Sequence, residues 1–123
     1  MKFTESHEWI ELEGNDNVAA VGVTDYAQKE LGEIVYVELP EVGKTVKGGE
    51  EAAVLESTKA AADVYSPASG MIVAVNERLK SNSELINHSP EKEGWIFKLK
   101  LTNPGELKNL LEGTAYHAKF KNN

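Results

Sequence analysis

The chain has 123 residues, 41% of them hydrophobic, and a formal net charge of −7. A chain of this length fits one domain with a real core. It lacks the basic footprint of a nucleic-acid binder and any apolar run long enough to span a bilayer. There is no cysteine, so there is no disulfide framework and no thiol nucleophile.

The start, Met1–Ser6, has no apolar signal core, and the expectation is a cytoplasmic protein. His7–Glu11 alternates around Trp9 and Ile10, Glu13–Asn17 is a turn cluster, and Val18–Val23 returns, which predicts an N-terminal hairpin. Thr24 is placed to cap a short helix over Asp25–Leu31, with Asp25 favourable against the helix dipole and Gly32 as the stop. Gly32–Val37 is echoed by Gly70–Val75. Val46–Glu50, ahead of the apolar Ala52–Leu55, is echoed by Leu79–Ser83 ahead of Leu85–Ile86. Two such strand-turn-strand units predict a mainly β sandwich with a pseudo-two-fold repeat, each half covering the other's apolar face.

Between the copies, Val54–Pro67 reads as two short strands joined by a tight turn. Val54, Leu55, Val64 and Tyr65 suit a pleated surface, and Pro67 and Gly70 end one strand and open the next. Lys59 stands mid-turn with alanines after it and nothing bulky to pack against, so it projects into water. A lone lysine is most often a solvated charge. The sharper reading is a lysine presented for acylation, which removes the charge and lengthens the side chain. The acids Glu56 and Asp63 flank it, and on spacing alone they serve only to keep the hairpin soluble.

Beyond the second copy, His88–Gly94 reads as a plain loop. Trp95–Leu101 alternates Trp95, Phe97, Leu99 and Leu101 against Lys98 and Lys100, a half-exposed strand. Asn103–Pro104 reads as a cap and first helical position, Glu106–Leu111 as a helix closed by Gly113, and Thr114–Phe120 as a last short helix, with Lys121, Asn122 and Asn123 frayed. The histidines His7, His88 and His117 lack metal-ligand spacing. Gly43, Gly48 and Gly49 read as turn glycines, with no Gly-Lys-Ser/Thr that ends a strand-to-helix turn as a phosphate loop requires, and no serine has a base and orienter in view. No self-contained active site is legible, so the chain reads as non-catalytic.

Glu56–Pro67, with Gly70 following, resembles the lipoyl-attachment segment of the glycine cleavage system H protein family. Ser6–Trp9, Val21–Ala27, Leu31–Pro40 and Gly94–Trp95 resemble that family in the same order, so the likeness covers essentially residues 1–123 as one lipoyl-carrier domain. One departure is Thr58, where the family more often has Val. The resemblance implies a lipoyl/biotinyl-carrier-like sandwich (a barrel-sandwich hybrid), with the lysine hairpin at about 54–67 and a C-terminal helical segment at about 104–120. It implies lipoate in amide linkage on Lys59, Glu56 and Gly70 as recognition points for the lipoate-attaching enzyme that leave folding untouched, and an arm cleft lined by Ser6, His7, Glu8 and Asp63. The implied role is a monomeric carrier, not an enzyme. It takes an aminomethyl group from glycine decarboxylase (P protein) to the aminomethyltransferase (T protein) and is reoxidised by dihydrolipoyl dehydrogenase (L protein). Three other readings stand beside it: a donor that uses the same lysine to relay octanoyl or lipoyl groups to 2-oxoacid dehydrogenases, a biotinyl carrier, and an unmodified adaptor that only keeps the fold. Thr58 and Ala60 argue against biotin, whose lysine normally sits between methionines.

Overall fold

The computed structural model describes residues 1–120. In chain order its strands and helices are β1 (Lys2–Phe3), β2 (Glu8–Glu13), β3 (Val18–Val23), α1 (Asp25–Leu31), β4 (Ile34–Glu38), β5 (Thr45–Val46), β6 (Glu51–Ser57), β7 (Ala61–Tyr65), β8 (Gly70–Val75), α2 (Leu85–His88), β9 (Phe97–Leu101), β10 (Leu111–Glu112) and α3 (Gly113–Lys119). Two sheets face each other. The larger runs β10-β1-β2-β3-β9-β8-β5 and the smaller β4-β6-β7. Their inner faces share one core, in which Ile34, Leu55 and Val64 from the smaller sheet meet Val21, Ile72, Phe97 and Leu99 from the larger. Strand periodicity explains the partition: Phe97, Leu99 and Leu101 point inward and Lys98 and Lys100 outward.

The hairpin β2–β3 pairs Glu8 with Val23 through Glu13 with Val18. Helix α1 follows at once. Thr24 accepts the N–H of Ala27 at 3.2 Å, and Gly32 ends the helix at φ +82°, a conformation that favours glycine. Asn87 of α2 then locks this corner, accepting from Ile34 N–H and donating to the Gly32 carbonyl at 2.9 Å each.

The first sequence echo is structural. β4 pairs β6 as β8 pairs β9, both antiparallel, and the ladder slips at matched places, between Ile34 and Tyr36 and between Ile72 and Ala74. β7 lies beyond β6 as β3 lies beyond β9, so each half is a three-stranded antiparallel unit. The second echo fails. Leu85–Ile86 opens the single turn of α2, and the two echoes are separated by different lengths of chain. A short apolar pair is equally compatible with either conformation. The true partner of β6 is β9. The place corresponding to the lysine turn is therefore where β9 ends beside Asn17, joined by Leu101 N–H to the Asn17 carbonyl at 2.8 Å.

The C-terminal segment also departs from its pattern. Pro104–Asn109 is a 3-10 turn, and Asn103 makes no side-chain cap bond. Leu107 and Leu110 reach the main core, but Leu111 leaves the helix pattern to pair with Phe3 of β1. Gly113 opens α3 instead of closing a helix. Trp95 precedes β9 and joins a second cluster with Phe3, Trp9, Ala20 and Tyr116. The frayed end expected at Lys121–Asn123 lies outside the described residues.

Trp9 fixes the hairpin to the loop that follows α2. Its indole N–H donates to the Pro90 carbonyl at 2.9 Å, and its ring covers Gly22, its partner across the ladder. A Cβ on Gly22 would stand 2.7–2.8 Å from the ring. Gly22→Ala is expected to destabilise the protein by about 1–3 kcal/mol, the usual cost of overpacking, with a shifted Trp fluorescence maximum; urea unfolding followed by that fluorescence checks both.

Candidate functional site

The turn between β6 and β7 is closed by Ser57. Its N–H donates to the Ala60 carbonyl at 2.8 Å, its hydroxyl donates to the same carbonyl at 3.1 Å, and its oxygen accepts the N–H groups of Lys59 and Ala60. Thr58 N–H donates to the Glu33 carbonyl at 3.1 Å, which ties the turn to the corner after α1. With the backbone satisfied locally, Lys59, Ala60 and Ala61 are all exposed. The lysine stem does not stand free, however. It passes over Gly32, where a Cβ would lie 3.4 Å from Lys59 Cε, so it leans toward the C-terminal end of α1. That end carries partial negative charge and suits an ammonium.

Beside the hairpin lies a cleft of about 200 Å³. Ser6, His7, Glu8 and Asp63 all line it, so the consecutive Ser6–Glu8 and the distant Asp63 meet at one place. Val23, Ala27, Leu31, Leu55 and Val64 supply apolar surface, and Glu30 adds a carboxylate from α1. The cleft reaches Ala62, three residues beyond Lys59 on the same hairpin. Glu30 went unnoticed in the sequence, although Ala27, Glu30 and Leu31 share helical spacing and therefore one face.

Glu8 is 1% exposed, not a surface acid. One carboxylate oxygen accepts the hydroxyls of Thr4 and Ser6 at 2.5 Å each, and the other accepts the N–H of Tyr65 at 3.1 Å. Burial pushes its pKa above the usual carboxylate value, and these hydrogen bonds pull partly back. His7 has φ +75°, rare for a residue with a side chain. Its backbone is held by N–H to the Thr4 carbonyl at 3.2 Å and by its own carbonyl accepting Thr24 N–H at 3.0 Å. Its ring stacks on Tyr26 at 4.5 Å. Burial lowers its pKa, and the nearby Glu30 charge opposes the shift.

The two recognition points expected from the sequence do not lie together. Glu56 is exposed beside the turn, paired across the ladders with Ala61 and Tyr36. Gly70 is buried at the start of β8, and the five residues of β7 lead away from the turn before the chain reaches it. A Cβ there would press on the Lys100 carbonyl oxygen and stand 3.2 Å from Cα of Leu101. Gly70 thus lets β8 and β9 approach, and the expectation that its replacement leaves folding untouched is corrected.

A small antiparallel sandwich that offers an exposed lysine on a stiff turn beside an acid-rimmed cleft is a carrier domain of the lipoyl type. The glycine cleavage H-protein family model matches residues 1–123. Glycine cleavage system H proteins of Thermotoga maritima and Symbiobacterium thermophilum are 56% and 52% identical over 115 and 121 residues, covering 94% and 98% of this chain and 91% and 93% of theirs. The crystal structure of a glycine cleavage system H protein from Mycobacterium marinum superposes with a TM-score of 0.87 at 37% identity, covering 96% of this chain and 94% of that one. The chain belongs to the glycine cleavage H-protein family, the non-catalytic carrier subunit of the glycine cleavage system.

Gly70→Ala is expected to lose about 1–3 kcal/mol through overpacking, whereas Glu56→Ala stays close to wild type; urea unfolding of the two variants separates them. Glu8 supplies a pH signature. Its folded-state pKa is raised above 4.5, so the folded state holds the proton longer than the unfolded chain. Stability should fall as pH rises from the ordinary carboxylate range through the raised pKa. In Glu8→Gln that component of the slope is absent, which unfolding curves of both proteins across this range will show.

Proposed function

We propose that Lys59 carries lipoate in amide linkage on Nζ and that the cleft of Ser6, His7, Glu8 and Asp63 receives the loaded arm. The observation that carries this reading is the juxtaposition itself: an exposed lysine on a stiff turn, its stem lying over Gly32 at the end of α1, and an acid-rimmed cleft lined by α1 and by the same hairpin. When bound, lipoate supplies the dithiol-disulfide chemistry that a cysteine-free chain lacks. The residues fit such a group. The apolar walls suit a hydrocarbon arm, and the carboxylates of Glu8, Glu30 and Asp63 suit a cationic amine at its end. An ionised carboxylate offers about four acceptor positions, and Glu8 uses three, two on one oxygen and one on the other. One remains on the oxygen bonded to Tyr65.

The chain itself makes and breaks no bonds in this scheme. It mounts the arm, shields the cargo from water and presents it in turn to the P, T and L proteins. The lipoate-attaching enzyme acts on Lys59 and reads Glu56, exposed next to the turn, while Gly70 acts through the packing of the sandwich. A formal net charge of −7 suits basic docking faces on these partners. No helix among the described residues is long and apolar enough to cross a membrane. We place the carrier in the cytoplasm, as a monomer.

Lys59→Arg keeps the charge but cannot form the amide. It should fold normally, show no lipoyl mass addition in intact-protein spectra and support no glycine cleavage; lipoate found on this variant would overturn the assignment. The cleft is tested by loading lipoylated wild type and Glu8→Ala with methylamine, removing the partner enzymes and timing the release of ammonia and formaldehyde. Release is expected to be faster from the variant. Equal rates from two folded, fully lipoylated proteins would show that Glu8 does not guard the cargo.

A further inference from the structure

The cleft is braced by a residue that does not line it. Tyr116, on α3, is 2% exposed, and its hydroxyl oxygen stands 2.8 Å from Nδ1 of His7 and 2.7 Å from Oγ1 of Thr24. These two contacts belong to the two segments that wall the cleft. His7 sits between Ser6 and Glu8, and Thr24 caps α1, which contributes Ala27, Glu30 and Leu31.

The direction of the hydrogen bonds follows from counting protons. Tyr116 and Thr24 have one hydroxyl proton each, and Thr24 Oγ1 also accepts the N–H of Ala27. One arrangement uses both hydroxyl protons: Thr24 donates to Tyr116, and Tyr116 donates to Nδ1 of His7. Nδ1 is then an acceptor and the ring proton resides on Nε2. In the reverse arrangement the Thr24 proton has no partner at a residue only 1% exposed, and a buried unsatisfied donor is costly.

We infer that Tyr116 is a positioning residue of the cleft: by donating to Nδ1 it holds His7 in the Nε2–H tautomer and in one ring orientation, and it fastens the Ser6–Glu8 segment to the cap of α1. His7 needs such a fastening, because its φ of +75° lies in the left-handed region. The stack on Tyr26 and the edge contact with Phe120 at 4.6 Å restrain the ring but do not select a tautomer. The downward shift of the His7 pKa agrees with a neutral ring, although Glu30 from α1 faces it and Glu8 and Asp63 line the same cleft.

The tautomer is read on unlipoylated protein, so that part of the test does not depend on the proposed function. The effect on cargo does rest on it. Imidazole 15N shifts of wild type at neutral pH should show an unprotonated Nδ1 and a protonated Nε2 for His7; a protonated Nδ1 overturns the inference without any variant. Tyr116→Phe keeps the ring that stacks on Phe3 at 4.7 Å and loses only the hydroxyl. It should show mixed His7 tautomers and, once lipoylated and loaded with methylamine, lose cargo about three- to tenfold faster, the range expected for one hydrogen bond. His7→Asn, a residue that tolerates positive φ, should lose cargo at a similarly raised rate, and the double variant should be no faster than either single one. An unchanged tautomer in Tyr116→Phe, or additive effects in the double variant, overturns the inference.

Discussion

The buried carboxylate of Glu8 is the constraint on which the site depends. A charged group taken out of water is costly unless its lone pairs are filled. The structure fills three of about four acceptor positions: two from Thr4 and Ser6 in the chain just before it, and one from Tyr65 in the opposite sheet. The N-terminal segment must therefore fold back over β2, and β7 must end where its backbone N–H meets the acid. The large sheet and the small one are stitched together at the mouth of the cleft. A hydrophobic residue in this place would pack the sheets equally well and leave no polar group there to meet a ligand.

From this stitch the rest of the site follows. β7 leaves it and climbs to the lysine turn, while His7, one residue before Glu8, reaches across to the aromatic cluster under α3. The corner after α1 meets the turn from the other side, through Thr58 and Glu33 and through Asn87, which holds the Gly32 carbonyl. The lysine hairpin is thus an outgrowth braced on both flanks, not a loop on a stalk. Packing glycines serve the same end. Gly22 admits the Trp9 ring, and Gly70 admits the backbone of β9.

Much of this was legible in the sequence where the determinants are local. The Thr24 cap, the Asp25–Leu31 helix and its Gly32 stop need only neighbours within a few residues, and they appear as read. The lysine turn was legible because small residues on both sides leave few alternatives. What failed was non-local. Leu107, Leu110 and Leu111 keep helical spacing, but Leu111 is drawn off by a strand more than a hundred residues away. Leu85–Ile86 was too short a run to distinguish strand from helix. Glu8 was legible as a residue of the arm cleft through the family resemblance, but its burial was not, because the N–H that meets its second oxygen comes from Tyr65 on β7. The packing partner of Gly70 was hidden, because the carbonyl that forbids its Cβ lies on β9. Tyr116 carried no signal, since a tyrosine on a short terminal helix is most simply core.

The turn that Ser57 closes with its own hydroxyl has a kinetic consequence. A group tied to a stiff base explores only the volume its own rotatable bonds allow, so its concentration at a nearby site is set by tether geometry and reaches millimolar levels for a short link. With the proposed arm on Lys59, the cleft and an approaching enzyme compete for the same tethered group on unequal terms, one within the molecule and the other across solution. Each enzyme must gain enough from docking on the body of the carrier to draw the arm out. Under that proposal hand-over is confined to the bound encounter, and the cargo stays enclosed in the intervals between.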